Sequence, residues 1–171
     1  MGRLRDRRRS GSDLQRFQMR EKMMSIGDDF WIEDGHGDRA YKVDGKALRA
    51  RQTFRLEDAS GSEVATIQER AVRVRDSMAI ERDGRTVATV HKALAGVRDR
   101  FAIDVEGGPD MNAHGNLVDH EYEIERDGDG IAEISKKWFR VRESYGVEVA
   151  DGQDVPLLLA ITVAIDALAS D

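Results

Sequence analysis

The 171-residue sequence contains no cysteine and only two prolines. The absence of cysteine excludes disulfides, cysteine nucleophiles and thiolate zinc sites. The longest uncharged apolar run, Val155 to Ile165, has eleven residues, whereas a bilayer span needs ~20. The basic start is followed by no apolar stretch, so it is not a secretory signal. We therefore expect a soluble, cytoplasmic protein without a transmembrane segment, able to act at most peripherally at a membrane.

The charge is unevenly distributed along the chain. Lys and Arg number 27 against 33 Asp and Glu, yet residues 1–20 carry a net charge of +5 and residues 21–171 a net charge of −11. With 40% apolar residues, the length predicts one globular domain. We expect a basic, disordered tail over residues 1–13 and a single domain over residues 14–171. The negative body disfavours nucleic-acid binding.

A four-residue pattern recurs six times: a large apolar residue, any residue, an aliphatic residue and an acidic residue. The copies begin at Phe30, Phe54, Met78, Phe101, Tyr122 and Tyr145, spaced 24, 24, 23, 21 and 23 residues apart. Each copy alternates apolar and polar residues, which is typical of a half-buried strand. Turn-forming Gly, Asp and Asn clusters follow the copies, so each copy predicts the first arm of a hairpin.

The return arms and an opening strand bring the count to twelve predicted strands. They are Phe17–Met23, Phe30–Glu33, Ala40–Val43, Phe54–Glu57, Val64–Gln68, Met78–Glu81, Val87–His91, Phe101–Val105, Met111–Leu117, Tyr122–Arg126, Ile131–Ser135 and Tyr145–Val149.

After the last strand the pattern becomes helical. Asp154 suits the N-cap, Pro156 suits the first turn, and Leu157 to Leu168 is apolar on all sides apart from Asp166, which predicts a buried helix. Twelve strands ~4.8 Å apart and tilted ~40° close at a radius of roughly 12 Å, a lumen that a helix fills and side chains alone do not. The fold class is therefore all-β: a closed, twelve-stranded antiparallel barrel around its C-terminal helix. Asp166 is expected to accept hydrogen bonds from connector backbone or from arginine.

This architecture is similar to the tubby-like barrel, and two strings resemble the LURP-one-related family. They are FQMREKMMSIGDDFWIEDGHGDRAYKVDGKAL near the front and YGVEVADGQDVPLLLAITVAIDAL at the end. The resemblance implies a barrel without an agreed molecular activity. Tubby proteins bind phosphoinositide headgroups and phospholipid scramblases use a palmitoylated cysteine cluster, so the resemblance leaves headgroup binding open while the lack of cysteine excludes scramblase-type anchoring.

The segments between hairpins form a second, basic repeat. The copies carry eight arginines that would gather on one rim of an up-and-down barrel, namely Arg49, Arg51, Arg73, Arg75, Arg98, Arg100, Arg140 and Arg142. Guanidinium groups bind phosphates bidentately, so this rim is a candidate anionic-ligand site. The alternative is that these arginines form weak surface pairs with neighbouring carboxylates such as Glu69 and Glu143.

Other motifs give no catalytic or metal assignment. His114 and His120 match no known ligand spacing, and Asp127-Gly-Asp129-Gly130 is interpreted as a hairpin turn because lysines follow where a calcium loop needs ligands. Glu121, Glu123 and Glu125 share the outward face of one strand, which indicates solvated carboxylates rather than a general acid. No nucleophile elbow or phosphate-binding glycine loop is present.

We therefore predict a non-enzymatic binding or scaffold module without a cofactor or metal. Its partner would be an anionic ligand, such as a lipid headgroup, or a protein that contacts the basic rim. The alternative is a phospholipid-binding or phospholipid-handling protein at membrane surfaces. The sequence does not indicate whether the protein is a monomer or an oligomer.

Overall fold

A computed structural model describes residues 14–20, 29–48, 51–71, 76–93, 100–139 and 143–169. It contains twelve strands and one α-helix, which confirms the predicted elements. The strands are β1 (Gln15–Arg20), β2 (Phe30–Asp34), β3 (Arg39–Leu48), β4 (Arg51–Asp58), β5 (Glu63–Ala71), β6 (Asp76–Arg82), β7 (Arg85–Lys92), β8 (Arg100–Val105), β9 (Met111–Asn116), β10 (Glu121–Arg126), β11 (Asp129–Ser135) and β12 (Ser144–Val149). A short 3₁₀ helix covers Lys136–Trp138, and α1 covers Val155–Ala169.

The strands form a closed antiparallel barrel in chain order. Every strand is hydrogen-bonded to its neighbours in the sequence, and β1 closes the barrel by pairing with β12 from Gln15↔Val149 to Arg20↔Ser144. Because the strands alternate in direction, the turns 35–38, 59–62, 83–84, 106–110, 127–128 and 150–154 lie at one end, the turn rim. The other strand ends, with the loop 117–120 and residues 136–139, form the connector rim.

The hairpin turns explain why the strands reverse where they do. Asp83 and Gly84 have φ of 50° and 74°, and Asp127 and Gly128 have φ of 53° and 79°. Two consecutive positive φ values define type I′ turns, whose twist matches that of the flanking strands. The expectation that Asp127-Gly-Asp129-Gly130 is a hairpin turn is confirmed.

Two longer turns use an aspartate as their organising group. The Oδ1 atom of Asp34 accepts hydrogen bonds from the backbone N–H groups of His36 and Asp38, at 2.9 and 3.0 Å. Asp58 repeats this pattern with Ser60 and Ser62, at 2.9 and 3.0 Å. These hydrogen bonds lower the pKa of both carboxyl groups, chiefly through the backbone N–H of Asp38 for Asp34 and the hydroxyl of Ser60 for Asp58. Both carboxyl groups are charged at neutral pH, as an aspartate with the ordinary pKa of 3.8 also would be.

A β-bulge recurs at one place in the repeated motif. The pairing register shifts between its aliphatic and acidic residues in four hairpins, at Ile32/Glu33, Leu56/Glu57, Ile80/Glu81 and Ile124/Glu125. A bulge adds one unpaired residue and increases the local twist. The repeat thus encodes both a strand and the bend that helps the sheet to close.

Helix α1 begins at the turn rim, where Asp154 caps it. The Oδ1 atom of Asp154 accepts a hydrogen bond from the N–H of Leu157 at 3.2 Å, which satisfies one of the donors left open at a helix start. All twelve residues from Leu157 to Leu168 are buried. In the part of the chain that the structure describes, no helix has both the length and the apolar character needed to cross a membrane.

One apolar core joins the helix to the barrel. Its buried cluster includes inward-facing residues from each of the twelve strands together with α1. Ala65, Ala88 and Ala132 are completely or almost completely buried, at 0–1% exposure, and their small side chains leave room for the helix. The prediction of a barrel filled by its own C-terminal helix is confirmed.

Some strand boundaries differ from those predicted. β3 was expected over Ala40–Val43 but extends to Leu48, because its pairing with β4 continues from Tyr41↔Asp58 to Leu48↔Arg51. The polar residues in its second half hide this extension, since period-2 alternation is lost there.

Candidate functional site

The connector rim holds the predicted arginine site, of which the structure describes a small part. Arg100 begins β8 and is exposed, and the backbone of Arg51 begins β4. The remaining six lie outside the described residues, namely Arg49, Arg73, Arg75, Arg98, Arg140 and Arg142. The basic rim therefore stays a prediction.

Several described residues at the connector rim are basic. Arg20 ends β1 and is exposed, Lys92 ends β7 and is half-buried, and Lys136 and Lys137 follow β11 and are exposed. The side chain of Lys137 is 70% exposed, with Nζ 3.9 Å from Oε2 of Glu121. Val118 in the 117–120 loop is 66% exposed. Among the described residues it is the one large apolar side chain that is exposed to solvent.

A bidentate ion pair ties the start of α1 to the turn rim. Arg82 Nη1 and Nη2 donate to the two carboxylate oxygens of Asp154, each at 2.7 Å. The hydrogen bond from Arg82 is the main reason that the pKa of Asp154 is lowered, and the same pairing raises the pKa of Arg82. This pair fixes the cap of the helix to the β6–β7 hairpin.

A buried polar cluster lies at the other end of α1. Asp166 is 6% exposed and accepts a hydrogen bond from the hydroxyl of Tyr145. His120 Nε2 lies 3.1 Å from Oδ1 of Asp166, and its ring stacks on Tyr145 with centroids 4.1 Å apart. The expected partners of Asp166 were connector backbone or arginine, whereas the structure brings a tyrosine and a histidine to it. His120 occupies a turn as predicted, with φ of 54°.

Burial within this cluster affects a second tyrosine. The pKa of Tyr122 is raised well above its ordinary value, first by burial and then by the negative charge of Asp166. No sequence motif signals this cluster, because its members come from β10, β12, the 117–120 loop and the helix. The sequence gives one indirect sign of it: Asp166 is a lone carboxylate in an apolar helix, and a buried charge needs polar partners.

A second polar group lies on the outer wall of β9 and β10. His114 Nε2 is 2.9 Å from Oε1 of Glu125, and ligand atoms of His114, Glu123 and Glu125 all lie within 4.8 Å of one another. The predicted outward parity of Glu121, Glu123 and Glu125 is confirmed, but all three are half-buried rather than fully solvated.

These residues line a surface cleft of about 460 Å³ together with Glu121, Glu133 and Lys137. Side chains from β9, β10 and β11 line it, together with Lys137 from the segment after β11. Register shows why the group was missed from sequence: His114 faces Glu123 directly across the β9–β10 pair, and this pairing depends on where each strand begins.

The neighbouring wall is covered by the segment after β11. The side chain of Glu148 is 2% exposed and accepts hydrogen bonds from Arg16, at 2.8 and 3.1 Å. The guanidinium of Arg16 lies 5.0 Å from the ring centroid of Trp138. A Cβ atom at Gly146 would approach Trp138 to 2.5 Å and Phe139 to 2.9 Å, so glycine allows these rings to pack against β12.

The fold is a barrel closed around one helix. Comparison with known proteins identifies a family with which this architecture is consistent. The family model of LURP-one-related proteins matches residues 15–166. The chain therefore belongs to the LURP-one-related family, as the sequence resemblance predicted.

A solved structure shares this architecture. It is the X-ray structure of a protein from Arabidopsis thaliana, 16% identical to this chain, with a TM-score of 0.66 and coverage of 90% of each chain. At this identity the likeness shows the fold alone. No curated protein sequence matches the chain.

Proposed function

We propose that the chain is a non-enzymatic binding module that engages an anionic ligand through the arginines of the connector rim. The observation that carries the proposal is the filled lumen: residues Leu157 to Leu168 are buried on all sides by the barrel. A ligand that binds this protein therefore meets the rims or the outer wall.

The distribution of charge favours the connector rim as the contact surface. The turn rim carries carboxylates, among them Asp34 and Asp58, which are ionised at neutral pH because their pKa values lie below the ordinary value of 3.8. Arg20, Arg100 and the two exposed lysines after β11 lie at the opposite rim, next to the strand ends that flank the arginine repeats. Opposite charge at the two ends of a barrel orients it toward an anionic surface.

The second candidate, a protein that acts at phospholipid surfaces, is favoured by Val118. Its side chain is 66% exposed on the connector rim, in the same loop as His120. An exposed apolar side chain on a rim that also carries Arg20, Lys136 and Lys137 suits the interface of an anionic bilayer, where the headgroups attract the cations. In this version the arginines contact lipid headgroups and Val118 enters the interfacial layer.

Vesicle co-sedimentation of the full-length chain tests the proposal. We expect binding to phosphatidylcholine vesicles that contain phosphatidylserine, weakening as salt rises, and little binding to pure phosphatidylcholine. The rim variant reverses Arg73, Arg75, Arg140 and Arg142 to Glu, and the matched control reverses Arg39, Arg55, Arg85 and Arg126, so both variants change the net charge equally. A thermal melt verifies that each variant folds.

The outcomes distinguish the two candidate functions from each other and from the absence of both. Loss of binding in the rim variant but not in the control supports anionic-ligand binding, and a further loss on Val118→Asp supports insertion at the lipid interface. Comparison with a chain that lacks residues 1–13 shows how much of the vesicle binding comes from the basic tail. The proposal is overturned if the rim variant and the control bind equally, or if binding is saturable and insensitive to salt.

A further inference from the structure

We propose that His114, Glu123 and Glu125 on the outer wall of the barrel bind a divalent cation of the zinc, cobalt or manganese type. The site is separate from the connector-rim arginines and does not depend on the function proposed for them.

Strand register brings the three side chains to one place. His114 on β9 and Glu123 on β10 are directly opposite each other, and Glu125 lies two residues further along β10. Residues two apart on a strand point to the same face, and directly opposed residues have Cβ atoms ~4.5–5.5 Å apart. Two rigid, paired strands therefore hold all three side chains on the outside of the barrel.

The ligand atoms are close to the spacing that a metal requires. They lie within 4.8 Å of one another, and His114 Nε2 is already 2.9 Å from Oε1 of Glu125. Zinc bonds to nitrogen and carboxylate oxygen are ~2.0–2.2 Å long, so tetrahedral ligand atoms lie about 3.3 Å apart. The separations differ from this spacing by at most about 1.5 Å, a distance that the flexible glutamate side chains can cover by changing rotamer.

The imidazole and the cleft distinguish this group from an ordinary acidic surface. An imidazole together with carboxylates suits zinc, cobalt and manganese, whereas calcium and magnesium favour oxygen ligands alone. The three residues line a cleft of about 460 Å³, and three protein ligands leave a coordination position open for water or an anionic ligand. Lys137 also lines the cleft, and its Nζ lies 3.9 Å from Oε2 of Glu121, which is not one of the three proposed ligands.

The same wall offers a matched control. His91 Nε2 on β7 lies 3.0 Å from Oδ2 of Asp104 on β8, and His91 is half-buried as His114 is. This pair has one imidazole and one carboxylate, and it belongs to no group of three ligands among the described residues. It therefore measures the binding that a simple histidine–carboxylate pair gives.

The test titrates the full-length chain, stripped with chelator, with Zn²⁺ by isothermal calorimetry and with Co²⁺ by visible absorption. We expect one ion per chain, and NMR resonances of the His114 ring that shift on addition of Zn²⁺. His114→Ala and Glu125→Gln are expected to weaken the affinity by about 100-fold, equivalent to ~2.7 kcal/mol. His91→Ala is expected to leave it unchanged within about twofold.

Each variant must keep the melting temperature of the unmodified chain in the absence of metal. A loss of binding can then be attributed to the missing ligand and not to unfolding. The proposal is overturned if the folded chain shows no saturable binding at millimolar Zn²⁺, or if His91→Ala weakens binding as much as His114→Ala. It is also overturned if the His114 resonances do not shift while an ion binds. None of these results bears on vesicle binding by the arginine rim.

Discussion

The carboxylate of Asp166 accepts a hydrogen bond from the hydroxyl of Tyr145 inside the barrel. Tyr145 is the second residue of β12, near the connector rim, and Asp166 lies in the last turn of α1. With His120 Nε2 3.1 Å from the other carboxylate oxygen, this contact ties the end of the helix to the barrel wall. The Arg82–Asp154 pair ties its start.

Tyr145→Phe is expected to destabilise the fold. The change removes the hydroxyl donor and leaves a buried carboxylate with a poorer set of partners. Hydrogen bonds to charged groups contribute about 1.5–3 kcal/mol, so the free energy of unfolding should fall by roughly that amount. Urea denaturation followed by circular dichroism measures it. Tyr41→Phe, which removes a half-buried phenol hydroxyl elsewhere in the barrel, serves as the control, and an equal loss in both variants would contradict the prediction.

The raised pKa of Tyr122 predicts a loss of stability at alkaline pH. Burial and the charge of Asp166 keep Tyr122 protonated in the folded state, while in the unfolded chain it ionises near its ordinary value of 10.0. Its contribution is complete below pH 10 and is lost as pH rises above it, by at most ~1.4 kcal/mol per pH unit. Tyr122→Phe should therefore flatten the decline in unfolding free energy between pH 9 and 11, about one unit either side of that value. Parallel slopes for the two proteins would contradict this assignment.

Gly146→Ala is expected to disturb the cover over β12. The new Cβ would lie 2.5 Å from Trp138 and 2.9 Å from Phe139, so the rings must move and the contact of Trp138 with Arg16 weakens. Overpacking of this kind costs about 1–3 kcal/mol. Urea denaturation measures the loss, and a red shift of tryptophan fluorescence reports the displaced ring. Gly108→Ala, whose Cβ would lie 3.5 Å from Val105, should be close to neutral.

Arg82→Met is expected to raise the pH at which acid unfolds the protein. The pKa of Asp154 is lowered in the folded state, mainly by Arg82. This pairing stabilises the fold above the ordinary carboxyl pKa of 3.8 and its contribution is lost as pH falls through the lowered value. Since the Asp154 side chain is 46% exposed, about 0.5–1 kcal/mol is expected at neutral pH. Acid titration by circular dichroism compares this variant with Arg85→Met, which should behave as the unmodified chain does.

Most of the barrel was predictable because each hairpin is local. The repeated apolar alternation marks the strands, and dipeptides such as Asp83-Gly84 mark the turns, so both signals lie within a few residues. The long second half of β3 was missed because its pairing with β4 depends on the partner strand rather than on alternation in β3 itself.

The polar sites were less predictable because they depend on register and burial. Asp166 signalled a buried partner, yet His120 and Tyr145 are brought to it only when the barrel closes around the helix. The outward parity of Glu123 and Glu125 was readable, but their position opposite His114 requires the register of β9 and β10. Their half-burial comes from side chains on neighbouring strands, which no single strand's sequence shows.

The order of the strands has a consequence for how the polypeptide acquires its structure. Eleven of the twelve strand pairs join elements that follow each other in the chain, and the pair of β1 with β12 alone joins its two ends. During synthesis from the N-terminus, β1 leaves the ribosome long before its partner and presents an unpaired edge. The seam can close only when β12 has emerged, and the helix that fills the interior is made later still. Closure and filling are therefore late events, and the edge of the half-built sheet stays open until then.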